Sequence, residues 1–273
     1  MDLATIAGLI LAWGALLASL MIEGGRPGDL ILISPAILVF GGTLGATCMT
    51  VSIQDIVKLP MFIKLGMFGK PPDSVGIVNV LTEFAKKARR EGILGLEEDS
   101  KQVDNKFLRR GVEMVVDGTP ADLIREILET EIAAMMQRHS LGAEMMATAG
   151  GFAPTMGIIG TVMGLIHMLK SLSDPGKMGP AIAAAFLATL YGVLVANLFF
   201  LPMGNKLKLR SQQEAALYEM MIEGILAVQS GDNPRIVEMK MTSFLPPALR
   251  GKVAAKETSP GGAADSEGEQ KAA

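Results

Sequence analysis

Two apolar runs, read from Met146 to Pro202, decide the fold. The first, Ala147 to Leu169, is A-T-A-G-G-F-A-P-T-M-G-I-I-G-T-V-M-G-L-I-H-M-L; the second, Ala181 to Leu201, is A-I-A-A-A-F-L-A-T-L-Y-G-V-L-V-A-N-L-F-F-L. A helix needs ~20 residues at about 1.5 Å rise to cross the hydrocarbon core of a bilayer, and each run meets that length. Small residues are gathered on one side of each. Gly157, Gly160, Thr161 and Gly164 share a face of the first, and Ala181, Ala185, Ala188 and Gly192 form a stripe on the second, with Thr189 beside it. Such stripes let helix backbones approach closely. Those in the two runs, Gly157, Gly160, Gly164, Ala185, Ala188 and Gly192, are expected to pack on partner helices.

Outward from this pair, two more apolar runs appear near the N-terminus: Leu3 to Ile22, followed by E-G-G-R-P-G-D, and Leu30 to Ile53. The first has no basic n-region before it and reads as an uncleaved span. The second carries Pro35 and Gly41-Gly42, which predicts a kink or a close helix contact. Composition agrees: the 273 residues are 49% hydrophobic and 19% charged, with mean hydropathy +0.38. That is too apolar for an ordinary soluble domain and too charged for a wholly buried chain.

The remainder is polar and helical in pattern. Asp55 to Gly69 is amphipathic and suited to a membrane surface. Val75, Val78, Leu81, Phe84 and Ala88 recur at helical spacing within Asp73 to Glu91. Val103 to Val116 reads as a helix, and Thr119-Pro120-Ala121-Asp122 opens another that runs towards the third span. Ser211 to Val228 is a further helix, with a short one after Pro234. The expected architecture is an all-α membrane protein. Residues 1–53 carry the first two transmembrane helices, 54–146 a cytoplasmic helical domain and 147–202 the third and fourth spans. Residues 203–250 hold C-terminal cytoplasmic helices and 251–273 a disordered tail. Lys58, Lys64, Arg138, Lys206, Lys208 and Arg210 flank one side of the spans, against Arg26, Lys170 and Lys177 on the other, which places the middle segment and both termini in the cytoplasm.

Several functions are excluded. The net charge of −3 gives no electrostatic case for nucleic acid. Phosphate-loop and nucleophile-elbow motifs are missing from the sequence, as is any Cys, His, Asp and Glu cluster at ligand spacing. No metal, cofactor or enzymatic activity is expected. The lone Cys48 has no internal partner for a disulfide.

F-A-P-T-M-G-I-I-G-T-V-M-G-L at Phe152 to Leu165, A-T-L-Y-G at Ala188 to Gly192, F-F-L-P at Phe199 to Pro202 and A-R-R-E-G-I-L-G-L-E-E at Ala88 to Glu98 are carried in that order. With them the chain resembles the MotA/PomA family of flagellar-motor stator subunits, from Met1 to about Phe244. The resemblance implies a homopentamer around two copies of a MotB-type single-span partner with a transmembrane Asp, in the bacterial inner membrane and in contact with lipid. Ion flow past that Asp would turn the ring against a flagellar rotor protein. It assigns Thr161, Thr189, Pro154 and Pro202 to the ion pathway, and Arg89, Arg90, Glu97 and Glu98 to rotor contact.

The residues support part of this unaided. No Asp, Glu, Lys or Arg lies in the central portions of the four runs, yet a proton relay across a membrane usually needs an ionisable group at depth. The acid must come from a partner. Each assigned residue also has a plainer role: the threonines could bond their own helix carbonyls, the prolines could mark ends or kinks, and the charges could be a solvated face. Sodium-type relatives tend to carry a Thr-Thr pair before Leu-Tyr-Gly, where this chain has Ala188-Thr189. With a hydroxyl fewer to coordinate a bare cation, the expected coupling ion is H+ rather than Na+. The alternatives are a TolQ/ExbB-type proton-driven energiser, which has three spans, and a transporter permease subunit.

Overall fold

The computed structural model describes residues 3–69 and 72–257, with side chains described for all of these except 3, 4, 252 and 254–257. Among the described residues every regular element is helical. The chain divides into two compact units, one of Met1–Lys70 with Gln137–Ser211, the other of Pro71–Met136 with Gln212–Ala273.

The first unit contains α1 (Leu3–Ile22), α2 (Ile33–Cys48), the short α3 (Ile53–Ile56) and α4 (Leu59–Phe68). It also takes most of α8 (Ala121–Lys170) and the first part of α9 (Pro175–Gln229). On length and composition α1, α8 and α9 can each cross a membrane. The fourth apolar helix, α2, is shorter than the run Leu30 to Ile53 implied. At about 1.5 Å per residue it covers roughly 24 Å of a ~30 Å core, because Leu32 is extended and a turn follows Cys48.

Both α2 and α9 widen locally into a π turn, at Ile37–Gly41 and Ala196–Phe200. The second has an evident cause. Pro202 lacks an N–H and its ring would strike the Leu198 carbonyl in a regular α-helix; one turn earlier the spacing expands, and the Leu201 N–H reaches back to the Ala196 carbonyl. Pro202 therefore passes without ending the helix.

Below the π turn, Met146, Ala149, Ala153, Ala196, Phe200, Met203 and Leu207 form a buried cluster, with Leu59, Phe62, Ile63 and Met67 of α4 packed on it. Gly66 of α4 lies against Met203, and a Cβ at Gly142 would stand 2.9 Å from the Phe62 ring. The Arg210 guanidinium donates to the Leu65 carbonyl and the Lys206 ammonium to the Thr5 hydroxyl. These contacts put residues 54–70, 137–146 and 203–211 with the spans, which moves the division of the chain away from the boundaries at 54, 147 and 203.

The second unit holds α5 (Ser74–Glu91), α6 (Glu97–Lys101), α7 (Lys106–Val116), the start of α8, the end of α9, α10 (Pro234–Ser243) and α11 (Pro247–Glu257). Asp73 caps α5 by accepting from the Gly76 N–H, and Asn105 caps α7 by accepting from Phe107 and Leu108. Gly92, at φ +82°, ends α5 in a conformation that other residues rarely adopt. The apolar faces of α5, α7, α8, α9 and α10 meet in one core, with Leu81, Leu108, Ile124, Leu128, Met221 and Ile225 almost fully buried. Arg125 of α8 bonds Glu223 of α9 at 2.8 Å. α11 extends into the segment expected to be disordered from residue 251, because Val253 is buried in that core; residues 258–273 of that segment lie outside the described residues.

Lys240 donates to Asp232 at 2.7 Å across the start of α10, and this bond holds the Asp232 carboxyl below the usual carboxylate range. A lowered folded pKa gives stabilisation that is present above the ordinary value of about 4 and lost as pH falls through the folded value. Asp232→Asn is therefore expected to cost under ~1 kcal/mol at neutral pH, since both side chains are partly exposed to water. The cost should shrink as pH falls below about 4 and vanish only below the folded value, where both forms are neutral. Thermal unfolding of the detergent-solubilised chain at pH 7 and pH 3 checks this.

Candidate functional site

The small-residue stripes of α8 and α9 face each other within one chain. A Cβ at Gly157 would stand 2.9 Å from the Ala188 carbonyl oxygen, and one at Gly164 would stand 2.6 Å from Ala185 Cβ. Gly160 meets Ala188 in the same way, and Gly192 lies against Ala153 and Pro154. This corrects the expectation that Gly157, Gly160, Gly164, Ala185, Ala188 and Gly192 pack on partner helices: their close approach is used up between α8 and α9. The physical reason is that consecutive spans joined by a short turn are antiparallel neighbours, so matched stripes find each other first.

At this contact the Thr161 and Thr189 hydroxyls are hydrogen-bonded to each other. The Thr161 oxygen is also 3.1 Å from the Gly157 carbonyl and 3.2 Å from the Ala185 carbonyl, and the Thr189 oxygen is 3.5 Å from the Gly157 carbonyl. Two hydroxyls own two protons, so only some of these contacts are bonds at one time. Either Thr189 donates to Thr161 and Thr161 donates to a carbonyl, or Thr161 donates to Thr189 and Thr189 donates to the Gly157 carbonyl. Both side chains are half-buried.

The other pathway residues are placed apart from this pair. Pro154 is half-buried inside α8, where its missing N–H deprives the Gly150 carbonyl of its helical donor. Pro202 is exposed, just beyond the π turn of α9. Neither proline ends a helix. His167 is exposed towards the C-terminal end of α8. Tyr191, quoted above only within a motif, bonds the backbone leading into α2. The signal for it was available: a phenol inside an apolar run must find a polar partner.

The charged residues expected at a rotor lie in the second unit, around the turn from α5 to α6. Lys87 donates to Asp99 at 2.7 Å, which joins the two helices and holds the lysine above its ordinary pKa. Glu97 pairs with Lys101 at 3.0 Å and Arg90 with Glu91 at 3.6 Å. Arg89 and Glu98 are exposed and form no ion pair among the described residues. Glu83, Lys86, Arg89, Arg90 and Pro234 line an open concavity of about 340 Å³. Among the described residues no group of three His, Cys, Asp or Glu is arranged to hold a metal.

A family model described as the MotA/TolQ/ExbB proton channel family matches residues 99–220. Motility protein A of Bacillus subtilis (strain 168) is 38% identical over 255 residues, covering 93% of this chain and 94% of that protein. The structure of C. jejuni MotAB is similar with TM-score 0.86 and 32% identity, over 90% of this chain and 97% of that one. The structure of the flagellar MotAB stator complex from Bacillus subtilis gives TM-score 0.84 and 35% identity, over 93% and 98% of the two chains. The chain belongs to the MotA/PomA family of flagellar stator subunits.

A MotA/PomA-family subunit is a channel component and not an enzyme, and a multi-pass protein of the bacterial inner membrane. In this member the α8–α9 contact has no room for larger side chains. Gly164→Leu and Ala185→Leu are each expected to reduce accumulation of the subunit in membranes severalfold, with or without a partner, since overpacking typically costs ~1–3 kcal/mol or more. Immunoblots of membranes from cells making this chain alone check it; normal levels would show that the two helices part readily.

Proposed function

We propose that this subunit conducts protons and generates torque in the flagellar motor together with a MotB-type partner. Five copies surround two single-span partner helices, and each partner helix brings the Asp that this chain lacks. The observation that carries the reading is the Thr161–Thr189 pair: two hydroxyls placed at a helix contact in spans whose central portions hold no Asp, Glu, Lys or Arg. Such a pair can pass hydrogen bonds on to an acid supplied from outside, but cannot release a proton itself at neutral pH. Two relatives are seen in solved MotAB structures, which supports a partner of this kind. Both termini are cytoplasmic in this reading, on the side where the flanking Lys and Arg are in excess.

One observation favours the second reading, sodium. Three oxygens, the Thr189 hydroxyl and the carbonyls of Gly157 and Ala185, converge on the Thr161 hydroxyl. A bare cation needs several such ligands. The balance rests on Ala188, which stands where sodium-type relatives tend to carry a further hydroxyl. The decisive measurement is swimming speed at fixed pH across sodium concentrations. Speed independent of sodium is expected; strict sodium dependence would overturn the proton assignment and make Thr161 and Thr189 cation ligands.

Torque is assigned to Arg89, Arg90, Glu97 and Glu98. Exposed pairs are individually worth ~0–1 kcal/mol, so single neutralisations should leave swimming near normal. Reversal of both arginines, Arg89→Glu with Arg90→Glu, should abolish it while membrane levels stay unchanged. Normal swarming of the double variant would remove these residues from the rotor contact.

A further inference from the structure

α2 starts under an unusual handicap. Ile31 and Leu32 are extended, and the helix then opens Ile33-Ser34-Pro35, so its first turn lacks a capping side chain and its third residue has no N–H. Its flanks are apolar, with Ile31 and Ile33 each 74% exposed, and backbone groups without helical partners are costly wherever water is excluded. The Tyr191 hydroxyl meets the need twice over. It accepts from the Leu32 N–H at 2.8 Å and lies 2.5 Å from the Leu30 carbonyl, to which it donates.

Tyr191 is two residues past Thr189 on α9, about 200° further around the helix. One side of α9 thus carries the hydroxyl pair and the other is tied to α2. The α8–α9 contact itself is built of glycine and alanine, which allows close approach but supplies few interlocking knobs to resist rotation about the helix axis. α2 in turn is seated against α8: a side chain added at Gly42 would stand 2.8 Å from Met156 Sδ, and one added at Gly160 would stand 3.0 Å from Leu38 Cδ2.

We propose that Tyr191 is a positioning residue for the ion pathway: held between the Leu30 carbonyl and the Leu32 amide, its hydroxyl fixes the rotation of α9 and so keeps Thr189 against Thr161. The functional part rests on the reading of the threonine pair as the pathway; the geometric part does not.

The test is Tyr191→Phe in the full stator complex in membranes, which removes one oxygen and keeps the ring. Hydrogen exchange at the Leu32 amide should rise about tenfold, the size expected for one lost hydrogen bond. Disulfide formation between Thr161→Cys and Thr189→Cys, in a Cys48→Ser background, should slow severalfold when Tyr191→Phe is added. Unchanged exchange would show that the clamp is not formed, and faster exchange with unchanged crosslinking would reduce Tyr191 to a cap for α2; either overturns the proposal. Slowed crosslinking with normal motility in the otherwise native Tyr191→Phe complex would uphold the positioning role and refute the threonine pathway instead. Should Tyr191→Phe fail to accumulate, 3-fluorotyrosine at position 191 keeps the hydroxyl but weakens it as an acceptor, and the same two measurements decide with smaller shifts.

Discussion

A polar group placed in an apolar layer must find its partners inside the protein, and much of this structure is the working-out of that rule. Thr161 and Thr189 answer to each other and to the Gly157 and Ala185 carbonyls. Thr47 bonds the Thr43 carbonyl at 2.8 Å, Asn197 bonds the Val193 carbonyl at 2.9 Å, and Tyr191 serves the entry to α2. The Thr43 hydroxyl is the exception, buried without a partner among the described residues. None of these is an Asp, Glu, Lys or Arg, which is why the proposed proton path draws its acid from a partner.

Bringing those hydroxyls together requires the α8 and α9 backbones to come close, and glycine and alanine are what permit it. That use has a second effect. With the small residues turned towards each other, α8 shows its large ones outward: Ile158, Val162, Met163 and Ile166 are all exposed. Whatever packs on this face of α8 meets a surface of bulky aliphatic side chains, where contact is a matter of shape more than of close backbone approach.

Much of this was legible in the sequence. Run length and charge gave the spans at α1, α8 and α9, helical spacing gave the start of α5, and capping chemistry gave that of α8, each to within a residue or two. The threonines were recognisable as a pair through resemblance, and their bonding to helix carbonyls through general chemistry. The target of the glycine stripe was not legible, because a small-residue face says that a helix will approach and not which one. Nor were the division of the chain and the continuity of α9. Lys206, Lys208 and Arg210 read as charges flanking the fourth span, with a separate helix from Ser211, yet Met203 and Leu207 keep the helical spacing and bury themselves against α4. Tyr191 was visible as a residue but not as a contact, since its acceptor lies 161 positions away.

The π turn at Ala196–Phe200 matters beyond the passage of Pro202. A π turn holds an extra residue, so the side-chain pattern after it is out of phase with the pattern before it by about 100°. One continuous helix can thereby present its stripe to α8 above the turn and still aim Lys206 at Thr5 and Arg210 at Leu65 below it. Seen this way the turn is a phase adjuster. A one-residue deletion there would leave a regular helix of ordinary composition, yet it would swing both basic side chains away from their acceptors. In α9, chain length at that point is as strongly specified as residue identity.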